Sequence, residues 1–152
     1  MMRTSVRVMV ALATVMTVDG LVAQSKPLVV DVYKDPTCGC CINWVTHLRR
    51  LGFAAKTTDV SNLDEVKTKH NVPRQARSCH TALVGGYVIE GHVPAEDIQR
   101  LLKEKPPIAG LAVPGMPIGS PGMEVQGVSA QPYDVLAFDK SERTYVFASH
   151  GR

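Results

Sequence analysis

Three of the chain's four cysteines are crowded into Cys38-Gly39-Cys40-Cys41, and the fourth, Cys79, stands beside His80. Thiolates select soft metals such as Cu(I), zinc or iron–sulfur clusters, and they are also the attacking groups of disulfide exchange. Cys38 and Cys41 have the C-x-x-C spacing that both chemistries use, because residues three apart face the same way across a helix start. The adjacent pair Cys40-Cys41 is awkward around one tetrahedral ion, since neighbouring side chains diverge. It suits bridging, where each sulfur touches more than one soft ion. Bridged Cu(I) therefore fits better than zinc, whose paired ligand spacing is missing. Two other readings stay open. In one, Cys38 and Cys41 are the redox pair of a thiol–disulfide oxidoreductase; in the other, the four cysteines form two structural bridges.

Nitrogen and thioether donors extend the candidate set. His80 adjoins Cys79, and His92 follows a strand end in Glu90-Gly91-His92, from which it can face the same place. Met116 and Met123 are soft thioethers suited to weak Cu(I) ligation. Each has a plainer role to set against this: capping or hydrogen bonding for His80 and His92, gap-filling for the methionines. His47 lies about 10 Å along a helix from Cys40 at about 1.5 Å per residue, and reads as a surface residue near the helix end. Trp44 reads as a core residue that screens the thiols from water.

The elements around these residues are legible. Leu28 to Tyr33 is a β-branched, apolar run that predicts a buried strand. Asp35-Pro36-Thr37 is turn chemistry, with Thr37 a candidate N-cap. Ile42, Trp44, Val45, Leu48 and Leu51 then give helical periodicity until Gly52. The thiols thus sit where a strand hands over to the first turn of a helix, whose dipole and free N–H groups favour thiolate. Phe53 to Val60 predicts a second strand, and Ser61-Asn62 caps a short helix that fades at His70-Asn71. Thr81 to Val84 and Tyr87 to Glu90 flank Gly85-Gly86, a hairpin signal. Pro94 opens a helix with Ile98, Leu101 and Leu102 on its buried face. From Pro106 to Gly127, Pro, Gly and Met dominate and no regular period survives, which predicts an ordered loop wrapping the domain. Tyr133 to Phe138 and Thr144 to Phe147 predict a closing hairpin.

The order β-α-β-α-β-β-α points to an α/β, thioredoxin-like three-layer sandwich with a Pro/Gly/Met-rich wrapping loop and a C-terminal β-hairpin. That topology puts the loop bearing Cys79-His80 beside the thiol-bearing helix start. Thioredoxin-like enzymes place a cis-proline there; here Pro73 is displaced upstream and Cys79-His80 take the position.

Arg3 and Arg7 precede an apolar run, Val8 to Val18, and Leu21-Val22-Ala23 precedes a polar pair. This predicts a signal peptide over residues 1–23, export to the periplasm and no remaining membrane span. About 129 residues then remain, enough for one cored domain: a metal-binding part over 24–105 and a C-terminal extension over 106–152 packed on it. The formal charge of +3, with scattered basic residues and few aromatics, argues against nucleic acid as a partner. Clustered thiols in an oxidising compartment become disulfides unless a metal or redox partner holds them.

Beyond the residue chemistry, the chain resembles the CopG-type copper-resistance proteins. The resemblance is carried by Asp35-Pro36-Thr37-Cys38-Gly39-Cys40-Cys41, Ser78-Cys79-His80-Thr81-Ala82, Gly86 to Pro94, and Gly115-Met116-Pro117-Ile118-Gly119-Ser120-Pro121-Gly122-Met123-Glu124. It implies a thioredoxin-like fold, a periplasmic location and copper bound by Cys38, Cys40, Cys41 and Cys79. It also implies a role in copper tolerance alongside other periplasmic copper-handling proteins.

Overall fold

The computed structural model describes residues 27–151, so the expected signal peptide over 1–23 lies outside the described residues. Among the described residues no helix is long and apolar enough to cross a membrane. The elements are β1 (Val29–Lys34), α1 (Gly39–Arg50), β2 (Ala54–Asp59), α2 (Leu63–Lys69), a 3-10 turn (Arg74–Ala76), β3 (His80–Val84), β4 (Tyr87–Glu90), α3 (Ala95–Glu104), β5 (Gly110–Ala112), β6 (Tyr133–Phe138) and β7 (Thr144–His150). All seven strands share one mixed sheet, in the order β2-β1-β3-β4-β5-β6-β7.

The strand register explains the core. Val32 pairs with Ala82, Ala82 with Ile89, Ile89 with Leu111 and Leu111 with Ala137, so one row of apolar side chains crosses five strands. That row joins Trp44, Val45 and Leu48 of α1 and Ile98 and Leu101 of α3 in the main cluster. Alternate residues point the other way, as the period of two requires. Val88, Ala112 and Phe138 pack there with Val72 and Ala76, forming a smaller cluster on the opposite face.

Several expectations need correction. The buried stripe of α1 is Cys41, Trp44, Val45 and Leu48, while Ile42 is 50% exposed and Leu51 is also exposed. The spacing i, i+3, i+4, i+7 selects that stripe, and it carries a cysteine inward. The cap of α1 is Cys38 rather than Thr37: the Cys38 sulfur accepts the Cys41 N–H at 3.3 Å. Thr37 is taken up by Asp35, whose carboxylate accepts both its N–H at 2.8 Å and its hydroxyl at 2.5 Å. These bonds hold the Asp35 carboxyl below the usual carboxylate range. Finally, Gly110–Ala112 within the Pro/Gly-rich stretch is a strand, parallel to β4. Register supplies what local pattern does not, since Gly110 fits only without a side chain, its α-carbon facing the Val88 carbonyl and the Phe138 ring.

The helix of the thiols ends as expected. Gly52 is left-handed with φ of 90°, Phe53 N–H reaches Leu48 O and Gly52 N–H reaches Arg49 O, closing a Schellman motif. At the hairpin, Gly85 and Gly86 both have positive φ, the pair that a tight two-residue connection between β3 and β4 needs.

Candidate metal centre

The sheet brings β1 beside β3, so the turn after β1 and the loop entering β3 meet at one end of the sheet. Four sulfurs, those of Cys38, Cys40, Cys41 and Cys79, lie there within 4.8 Å of one another. Cys38 and Cys41 are joined by a disulfide, their α-carbons 5.4 Å apart, and Cys40 and Cys79 are free thiols. The Cys40 sulfur stands 3.5 Å from that of Cys38, and the Cys41 sulfur 4.0 Å from the Cys79 carbonyl oxygen. The Cys79 sulfur, one nitrogen of His80 and one of His92 form a second group within the same separation.

Both imidazoles are buried and both approach the Cys79 sulfur, His80 Nδ1 at 3.2 Å and His92 Nε2 at 3.0 Å. His92 Nδ1 meets the Pro121 carbonyl at 2.8 Å. A carbonyl only accepts, so Nδ1 carries the proton and Nε2 turns its lone pair toward the thiol. His80 is fixed by packing: its ring lies 4.3 Å from that of Trp44 and 5.0 Å from that of His92, and its buried Nε2 has no hydrogen-bond partner. Trp44 is itself fully buried and held by its indole N–H on Val93 O at 2.8 Å.

Electrostatics keep the nitrogens available. Burial lowers the His80 pKa well below the ordinary value, helped by His92 and by the Lys67 ammonium. Burial also lowers that of His92, against a raising effect of the Pro121 carbonyl and Glu124. Neutral imidazole is the form that binds metals. Cys79, off the helix, is pushed up by burial and then by the neighbouring Cys40 thiol. The helix-start preference for thiolate therefore does not extend to this sulfur.

A buried polar network lies beneath Cys79, and sequence patterning did not single it out. The Glu90 carboxylate accepts Lys67 Nζ at 2.7 Å, the Thr81 hydroxyl at 2.7 Å and the Ser78 backbone N–H at 2.6 Å. Lys67 also donates to Thr81 Oγ1 at 3.1 Å, and both charged groups are buried. The signals were a lysine on the apolar stripe of α2 and a glutamate ending an apolar strand. Their meaning depends on the Thr81–Glu90 register, which sequence alone does not display.

The Pro/Gly/Met stretch touches this end of the sheet in three places. Ser78 Oγ donates to Gly115 O, and Pro121 O receives His92. Gly122, with φ of 86°, runs so close to α1 that a β-carbon would lie 2.7 Å from Trp44 N and 2.9 Å from Cys40 O. Met116 follows the first tether and is 53% exposed; Met123 follows the last and is half-buried. The donor set is soft sulfur with imidazole nitrogen, the ligand types that soft metal ions select, so the residues present fit copper. His47, expected at the surface, instead accepts the Ala95 N–H at 3.2 Å and caps α3, whose Pro94 cap lacks a side-chain bond.

Two solved structures are similar to the chain over its described length. "Copper resistance protein copG- Form 2" is 41% identical with a TM-score of 0.78, covering 83% of this chain and 100% of that one. "Copper resistance protein copG- Form 1" has the same identity and TM-score, covering 84% and 100%. The chain belongs to the CopG family of copper-resistance proteins. A family model described as "Protein of unknown function, DUF411" matches residues 76–123, the segment from Cys79 through the tethered loop. A comparison with curated protein sequences gave no match.

Proposed function

We propose that this CopG protein is an exported, periplasmic copper-binding protein that serves copper resistance by holding Cu(I) through clustered thiolates. Cys38, Cys40, Cys41 and Cys79 bridge several ions, His80 and His92 complete the coordination on the Cys79 side, and Met116 and Met123 offer weak thioether donors at the rim. The scaffold is read as a thioredoxin-like three-layer sandwich over 24–105, with 106–152 as an extension packed on it. Other periplasmic copper-handling proteins are the expected partners.

The observation that carries this reading is a pair of donor groups that share the Cys79 sulfur, four sulfurs in one and Cys79 with two imidazoles in the other, each group within 4.8 Å. Bridging thiolates keep Cu(I) off adventitious ligands, which is a physical basis for tolerance. Loading all four sulfurs requires the Cys38–Cys41 disulfide to take up two electrons first. Anaerobic titration of reduced protein against a Cu(I) chelator tests it. Several ions per chain are expected, with each of the four Cys→Ser changes lowering the number; absence of chelator-resistant Cu(I) overturns the reading.

A second reading has one observation in its favour, the disulfide across Cys38 and Cys41. A periplasmic thiol–disulfide oxidoreductase predicts insulin reduction that is abolished by Cys38→Ser or Cys41→Ser and unaffected by Cys79→Ser. Redox cycling of bound copper is the related possibility within the first reading, and protein electrochemistry of the loaded form decides it.

A further inference from the structure

The disulfide divides the donors into two sets. Cys38 and Cys41 are bonded to each other, whereas the group formed by Cys79, His80 and His92 contains neither of them. Cys40 is also free, and its sulfur lies within 4.8 Å of that of Cys79. Oxidation of the C-x-x-C pair therefore removes half of the sulfurs and leaves two thiols and two imidazoles.

The remaining set is already oriented. The Pro121 carbonyl fixes the His92 tautomer so that Nε2 faces Cys79 Sγ at 3.0 Å, the outer-shell arrangement that metal-binding histidines use. His80 Nδ1 stands 3.2 Å from the same sulfur. Around a tetrahedral ion with bonds of about 2.0–2.3 Å, neighbouring donors sit about 3.5 Å apart. The sulfur needs to draw back from each nitrogen by only a few tenths of an ångström to admit one ion, while Cys40, outside this group, must turn its side chain to reach the fourth position. Two sulfurs with two imidazoles form a borderline donor set for a single divalent transition-metal ion, unlike the all-thiolate set that favours Cu(I).

Building on the copper reading above, we propose that the oxidation state of Cys38–Cys41 switches what the centre holds. With the pair reduced it takes a bridged Cu(I) cluster. With the pair oxidised it takes one divalent ion, bound by Cys79, His80 and His92, with Cys40 as fourth ligand. The interconversion is ordinary disulfide exchange. A dithiol donor passes two electrons and two protons to the Cys38 and Cys41 sulfurs, their S–S bond breaks, and the donor leaves as its own disulfide; a disulfide oxidant runs the reverse.

Cobalt(II) is the probe, because a tetrahedral thiolate site gives it intense visible bands and a sulfur charge-transfer band. Protein purified without reductant, with the disulfide verified by mass, is expected to bind one Co²⁺, displaced one-for-one by Zn²⁺. Cys79→Ser and His92→Gln are each expected to lower retention of that ion against a chelator at least tenfold. A wild-type oxidised chain that takes up no Co²⁺, or a Cys79→Ser chain that binds it unchanged, overturns the inference. The wild-type spectrum needs no variant to fold. Failure of the copper reading shows separately, as reduced protein that gathers no Cu(I).

Discussion

The centre has two halves built by opposite means. The α1 half places three sulfurs within four residues and holds them by local bonds: the Asp35 turn, the Cys38 cap and the Cys38–Cys41 bridge. The β3–β4 half assembles Cys79, His80 and His92 from strand register and braces them with buried charge from α2, through Lys67 and Glu90. One half can change its bonding without disturbing the fold, because everything it needs is near in sequence. The other is fixed, because its parts come from three separate elements. A centre that must alter its sulfurs while keeping its geometry benefits from having both.

The sharpest way to break this comparison is Glu90→Ala. It leaves the buried Lys67 ammonium without a counter-charge, with only the Thr81 hydroxyl to bond, and the Ser78 N–H without an acceptor, an expected loss of about 3–5 kcal/mol in urea unfolding. Replacing both charges, in Lys67→Met/Glu90→Leu, is expected to cost less than Glu90→Ala alone. A double variant as damaging as the sum of the singles would mean that the charges themselves are required.

The matching change on the other half is Cys38→Ser/Cys41→Ser. The bridge spans a sequence separation of three, so the loop it closes is short and its removal is expected to cost about 2 kcal/mol. Equal losses for the two halves would erase the contrast drawn here.

Gly122→Ala probes the seam where the wrapping loop crosses both halves. Its left-handed backbone costs a side chain about 1–2 kcal/mol, and the new β-carbon meets Trp44 N. Unfolding midpoints should fall accordingly, and hydrogen exchange near Pro121 should rise as the His92 contact loosens. An unchanged midpoint would mean that the loop yields freely.

The smallest effect is a control in neither half. Burial, then Asp97, Glu96 and Glu124, push the Tyr133 phenol up to about 12. Between the ordinary value of 10.0 and that point the folded chain keeps a proton the unfolded chain has lost. Stability from this group is full below pH 10 and falls as pH rises toward 12. Tyr133→Phe should flatten that slope in urea midpoints measured across the range, leaving Co²⁺ or Cu(I) uptake at neutral pH unchanged.

The same division governs how much the sequence discloses. Cys38 to Cys41, the turn before them and the Gly52 stop are contiguous, so spacing alone locates the α1 half and its helix. The meeting with Cys79 follows from element order once a β-hairpin is read at Gly85-Gly86. Lys67 and Glu90 stay hidden because 23 residues separate them and only register joins them. The strand β5 stays hidden because Pro and Gly obscure a pattern that three paired residues satisfy. Even the cap of α1 misleads locally: Thr37 has the usual cap chemistry, but Asp35 engages it first.

The chain contains a single tryptophan, and its ring lies against His80 beside the sulfurs. Its fluorescence therefore comes from one indole with no background from a second. Disulfides, soft metal ions and neighbouring imidazoles all quench indole emission, and Trp44 has both a bridge and an imidazole close at hand. Reduction, metal uptake and loop displacement should each leave a separate imprint on its intensity and wavelength. The protein carries an unlabelled optical gauge of its own centre.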